Sequence, residues 1–130
     1  IHQSVLLPAA AEMLFLQYTD PKLHGEITGA PVAIGPEPGA PFRAFDGVLQ
    51  GTILTVVKPV LVVQTWRSTA FHEHDRDSTL ILCFRPEHGQ GRIDLVHLDV
   101  PEHDFNGVTE GWENYYWTPW RAYLESQGTR

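Results

Sequence analysis

Cysteine is almost absent from this chain: Cys83 is the only one in 130 residues. An internal disulfide is therefore excluded, and a reducing, cytoplasmic setting is the expectation. Basic residues are also few. Nine Lys and Arg stand against sixteen Asp and Glu, for a formal net charge of −7. That balance argues against a nucleic-acid partner, whose phosphates are held by clustered cations. No apolar run approaches the roughly 18 residues that a membrane helix needs, so no membrane insertion is expected. The opening Ile1-His2-Gln3-Ser4 has neither an initiator Met nor the basic stretch that begins a secretory signal. Linkers, repeats and low-complexity segments are lacking too. One acidic globular domain over residues 1–130, large enough for a core, is the expectation.

Aromatic surface at the end is what the chain has in excess. Gly107 to Glu125 (GVTEGWENYYWTPWRAYLE) holds three of the four tryptophans and three of the four tyrosines. Trp112, Tyr116, Pro119 and Tyr123 recur at helical spacing, as do Glu113, Trp117, Trp120 and Leu124. Pro119 should kink such a helix. So much ring surface must be covered by a sheet or a ligand, or it would stand as an exposed apolar patch. Burial of each large ring contributes roughly 1.5–3 kcal/mol. Trp117 and Trp120, if exposed, would instead offer a surface for a homodimer.

The rest of the chain reads as the cover. Gln3 to Leu7 is a short strand ended by Pro8. Ala9 to Tyr18 is a helix with Ala9, Met13 and Leu16 on one face. Thr19-Asp20 caps a second short helix, with Pro21 in its first turn and Gly29 at its end. Ala30 to Gly35 is a candidate strand. Pro41 to Phe45 follows, and Asp46-Gly47 is a two-residue hairpin signal. Val48 to Lys58, Val60 to Ser68, Ser78 to Arg85 and Arg92 to Val100 complete the strands. In the last of these, Ile93, Leu95 and His97 share one face and Val96, Leu98 and Val100 the other, so the inward side stays open. A sheet of consecutive hairpins with a helix across its concave face, an α+β arrangement, follows.

These residues carry a resemblance. Thr28-Gly29-Ala30-Pro31, Pro38-Gly39 followed by Phe42, Asp46-Gly47 with Gly51, Gln64-Thr65-Trp66-Arg67, and Gly111-Trp112 with Tyr115-Tyr116 occur in an order and at spacings that resemble the activator-of-heat-shock-protein-90-ATPase-like family. That family lies within the START-like (SRPBCC, helix-grip) group, and the resemblance covers essentially the whole chain. It implies a curved antiparallel sheet of about six to seven strands wrapped around a long C-terminal helix, with two short helices after the first strand. Two positions depart from the pattern: His24-Gly25-Glu26-Ile27 stands where relatives often carry a Trp-rich segment, and Gly39-Ala40 where they carry a glycine pair. The resemblance extends over one domain only, without the amino-terminal domain through which eukaryotic activators engage the chaperone.

Relatives with this fold often keep a cavity between helix and sheet. The resemblance implies a small apolar or amphipathic ligand there, with no cofactor. The expected lining is Trp66, His97, Trp112, Tyr115, Tyr116 and Trp120, with Phe42 and Glu26. A chaperone partner is the second expectation, and a polyketide-cyclase-like enzyme using cavity tyrosines or His97 as acid or base, for instance His97 paired with Glu26 or a tyrosine, the third. Arg67 could anchor a ligand carboxylate or simply pair with a surface acid. His72-Glu73-His74-Asp75, with His103, has a metal-like composition but sits in a charged loop without well-spaced further ligands, so no metal is expected. Cys83, between Leu82 and Phe84, reads as a small buried apolar residue.

Overall fold

The computed structural model describes residues 1–128. Strand β1 (His2–Leu7) leads into helices α1 (Ala11–Thr19) and α2 (Pro21–Thr28). Five strands follow: β2 (Pro41–Ala44), β3 (Leu49–Val57), β4 (Leu61–Ser68), β5 (Ser78–Glu87) and β6 (Gln90–Leu98). The carboxy-terminal segment comprises α3 (Phe105–Trp112), a wide π turn (Glu113–Trp117) and α4 (Thr118–Gly128). All neighbouring strands pair antiparallel, in the order β1-β6-β5-β4-β3-β2, which places the first strand beside the last. The sheet is curved, and the layout is the α+β arrangement expected from sequence.

The core lies on one face of this sheet because alternate strand residues point there. Leu80, Leu82 and Phe84 of β5 and Ile93, Leu95 and His97 of β6 are all buried. Leu98, on the other face, is exposed, which decides the side of β6 that sequence left open. Helix α2 starts as anticipated: the Asp20 carboxylate accepts from the Leu23 N–H at 2.9 Å, Pro21 opens the helix, and Gly29 closes it in a left-handed conformation.

Four local expectations are corrected. Helix α1 buries Leu14, Phe15 and Tyr18, while Met13 and Leu16 are exposed. The larger stripe faces the sheet, and it fits closely because Gly91 has no side chain: a Cβ there would lie 2.5 Å from Leu14 Cδ1. Residues 30–35 form no strand; only Ala33 bridges to Arg43. Pro31 has no N–H to give a ladder, which limits pairing. Asp46-Gly47 is not a two-residue hairpin: Phe45, Asp46 and Gly47 form a short 3-10 turn with φ of 51°, 56° and 89°. Pro119 falls in the first turn of α4, just past the π turn. The wider turn accommodates the N–H that proline cannot supply to the preceding turn.

Candidate functional site

Packing of the carboxy-terminal segment on the sheet is laced with polar bonds. Trp120 is buried to 1 % exposure, and its Nε1–H donates to Gln17 Oε1 at 2.7 Å. Trp117 Nε1–H donates to Gln3 Oε1 at 2.7 Å. Both rings are therefore core, which removes them as a dimer surface. Tyr116 Oη lies 2.9 Å from His24 Nε2, and His24 Nδ1 lies 2.8 Å from the Tyr18 carbonyl. A carbonyl only accepts, so Nδ1 carries the proton and Nε2 accepts from the tyrosine. The Tyr18 hydroxyl in turn donates to Gln64 Oε1. Burial pushes the pKa of His24 down to about 4, partly countered by the Tyr18 carbonyl, and it raises those of Tyr18 and Tyr116.

His97 sits in a second such chain. Trp112 Nε1–H donates to His97 Nδ1 at 3.2 Å, and His97 Nε2 lies 2.8 Å from Ser78 Oγ. Ser78 Oγ–H donates onward to the Trp66 carbonyl at 2.5 Å, so Nε2–H of the neutral ring donates to the serine. Burial pushes the His97 pKa down to about 3, and the cationic amino terminus pushes the same way. A histidine so held stays neutral and fully bonded near pH 7, poorly suited to act as a base there. Glu26 does not meet it: its carboxylate is exposed and accepts from Tyr123 Oη at 3.1 Å, whereas His97 is buried among Trp112 and Ser78. The His97–Glu26 pair, one form of the cyclase-like expectation, is thus not formed.

Beyond this packed zone the segment and the sheet part. An apolar cavity of about 380 Å³ opens between α3 with the π turn on one side and the ends of β3 and β4 on the other. Trp66, Trp112 and Tyr116 form its inner wall, Val48, Leu49 and Val108 add aliphatic surface, and Phe45 and Tyr115 stand at the rim. Tyr115 is 61 % exposed, with its ring 5.7 Å from that of Phe45. Phe45 reaches this position only through its left-handed backbone, an outlier for a bulky residue that costs roughly 1 kcal/mol or more. Asp104, at the front of α3, is the one charged side chain on the cavity wall. Trp66 Nε1 is the one buried side-chain polar atom without a hydrogen-bond partner among the described residues.

Of the residues named from sequence, the structure brings Trp66, Trp112, Tyr115 and Tyr116 to the cavity. His97 and Trp120 lie behind it in the core, Phe42 is buried beside His24, and Glu26 is elsewhere on α2. Phe45, Ser68, Ala70, Asp104 and Gly107 at the mouth were not anticipated.

The charged loop is a clasp. Arg67 donates to the carbonyls of Asp75 and His72, each at 2.7 Å, and pairs with Asp77 at 3.3 Å. It therefore holds its own loop, which supports the structural reading of this arginine. His72, His74 and Asp75 offer ligand atoms within 4.8 Å of one another. Yet His103 Nε2 bonds Asp75 at 2.9 Å, and its ring stacks on His72 with centroids 3.8 Å apart and planes within 6°. Parallel stacked rings cannot both aim an in-plane nitrogen at one ion, so His103, stacked in this way, does not extend the His72, His74 and Asp75 group. The His103 bond, with the His72 N–H, holds the Asp75 carboxyl below its usual range.

Comparison with known proteins agrees with this architecture. A mouse protein, activator of 90 kDa heat shock protein ATPase homolog 2, is 24 % identical over 125 residues, 96 % of this chain and 38 % of its own length. The chain thus spans little more than a third of that relative. The crystal structure of an HSP90 activator from Plasmodium falciparum superposes with a TM-score of 0.85 at 19 % identity, over 96 % of this chain and 95 % of that one. Protein MLL2253 from Mesorhizobium loti gives 0.82 at 17 % identity, over 97 % and 96 %. No described helix is long and apolar enough to cross a membrane. The model of the family "Activator of Hsp90 ATPase homolog 1-like protein" matches residues 8–125, and the chain belongs to that family, within the START-like group.

Proposed function

We propose that this protein binds a small apolar or amphipathic molecule in the cavity between its carboxy-terminal segment and the sheet. One observation carries the reading: the cavity of about 380 Å³ is walled by aromatic and aliphatic side chains at the place where an otherwise closely bonded interface opens. Ligand sites are typically concave, mostly apolar and of about this size. The strained Phe45 at the rim supports it, since backbone strain tends to persist where the surroundings hold a residue for use.

Gly111 supplies a clean test. It lies on the cavity wall, and a Cβ there would meet only Tyr115 Cδ2, at an ordinary 3.7 Å. Gly111→Leu should fill the space without disturbing the helix, because leucine is the better helix former. Native mass spectrometry of protein from its own host should show a retained small molecule in the wild type and none in the variant. Equal retention by both would overturn the reading.

A second reading is favoured by the family and by the relatives' names: interaction with a heat-shock protein 90 chaperone. Its test is the ATPase rate of that chaperone from the same organism. A rise on adding the purified chain supports it, and an unchanged rate at saturating chain refutes it.

A further inference from the structure

The chemical character of the ligand can be argued from the sign of the charge around the mouth. Resting on the ligand-binding reading, we propose that the cavity takes a molecule with a cationic nitrogen, a primary or quaternary ammonium, on an apolar body, the charge lying against Asp104. Three observations converge on this class.

First, Asp104 is the only ionised side chain on the wall, and no Lys, Arg or His lines it. A carboxylate-bearing ligand would meet like charge with nothing to offset it. The basic side chains adjoining wall residues in the chain are engaged elsewhere: Arg67 on the carbonyls of His72 and Asp75 and on Asp77, and His103 on Asp75.

Second, the carboxylate is given room. A Cβ at Gly107 would lie 2.9 Å from Asp104 Oδ1. Any other residue there would push the carboxylate from the position it holds beside the first turn of α3. Asp104 makes no capping bond to that turn. The positive end of the helix carries only about half a charge, so the full charge of the carboxylate sets the local sign.

Third, the remaining walls suit a cation. Phe45, Trp66, Trp112, Tyr115 and Tyr116 present their rings around the space. Ring faces attract an ammonium through their quadrupoles, best when several rings surround it and water is partly excluded. Two polar groups of the wall are already engaged: the Tyr116 hydroxyl donates to His24, and Ser68 Oγ accepts from the Ala70 N–H at 3.0 Å; the partnerless Trp66 Nε1–H is fully buried within the wall.

The experiment compares three probes with one naphthyl body: 1-naphthylmethylammonium, 1-naphthylmethanol and 1-naphthylacetate, titrated calorimetrically into the whole chain at low ionic strength. The ammonium should bind about five- to tenfold more tightly than the alcohol, the combined scale of one cation–π and one exposed ion-pair contact, and the acetate should bind weakest. Asp104→Asn should remove the gap between ammonium and alcohol while leaving the alcohol unchanged. Gly107→Ala, by displacing the carboxylate, should narrow that gap, and a thermal melt of each variant checks that it folds. Equal binding of ammonium and alcohol, tighter binding of the acetate, or a gap that survives Asp104→Asn would overturn the proposal while the ligand reading stood. Failure of all three probes would count against the ligand reading itself.

Discussion

The carboxy-terminal segment meets the sheet in two different ways. Around Trp117, Trp120 and the Tyr116 hydroxyl, each ring N–H or O–H finds a buried partner: Gln3, Gln17 and His24. At the cavity, Trp66 Nε1 is buried without such a partner and Tyr115 stands exposed at the rim. Both regions are equally aromatic. What separates them is whether the opposing elements present a polar group at the right place. Helices α1 and α2 do so with Gln17 and His24, and no residue of either helix lines the cavity between α3 and the ends of β3 and β4. Dense aromatic content alone therefore predicts burial, and the polar anchors decide where burial is complete.

Truncation of the packed region should do the most damage. Trp120→Ala should lower stability by about 3–5 kcal/mol in urea unfolding, since it empties a filled core and orphans Gln17. A loss below about 1 kcal/mol would mean that this region is no better filled than the cavity. Acid comes next. Both His24 and His97 have folded pKa values, about 4 and about 3, below the unfolded value near 6.5, so the unfolded chain binds protons first as pH falls. Their contribution is complete above pH 6.5 and is lost on the way down to pH 3–4. The expected slope is up to about 1.4 kcal/mol per pH unit for each histidine. His97→Gln should flatten that slope while costing stability at pH 7, as measured by unfolding at pH 7 and pH 5. An unaltered slope would show that His97 does not titrate on unfolding.

A smaller loss should follow Tyr116→Phe. The ring stays, but His24 Nε2 is left without its donor, at a cost of about 1–3 kcal/mol in the same unfolding measurement. Tyr115→Ala, in the open region, should change stability by about 0.5 kcal/mol or less. It should nevertheless weaken binding of 1-naphthylmethylammonium severalfold. Should it destabilise as much as Tyr116→Phe, the distinction between the two regions would collapse.

Much of the fold could be read along the chain because its signals are local. The alternation in β5 and the cap at Asp20-Pro21 depend on neighbours a few residues away, and both are where periodicity puts them. The inward face of β6 was not legible, since each face mixes apolar with polar residues and only the bond partners of His97 make its burial tolerable. The stripe on α1 was misread for a similar reason. Leu14, Phe15 and Tyr18 are chosen over Met13 and Leu16 by the shape of the sheet at Gly91, which no local pattern encodes. At the site, ring-bearing Trp66, Trp112, Tyr115 and Tyr116 could be named from their types. The mouth could not: Phe45 depends on three successive left-handed residues and Asp104 on an irregular turn, so their directions follow from backbone geometry rather than from spacing.

The π turn at Glu113–Trp117 keeps the two halves of the segment in phase. Val108, Trp112, Tyr116, Trp120 and Leu124 are buried at strict intervals of four. On an ideal α-helix such a row would wander by about 160° over its length, because four residues overshoot each turn by about 40°. The wider turn, with its one extra residue, takes up about 100° of that surplus, so the row drifts by only about 60° and all five residues stay buried. Removing one residue from that turn would swing α4 by about 100°, taking Trp120 from its glutamine and turning a polar flank inward.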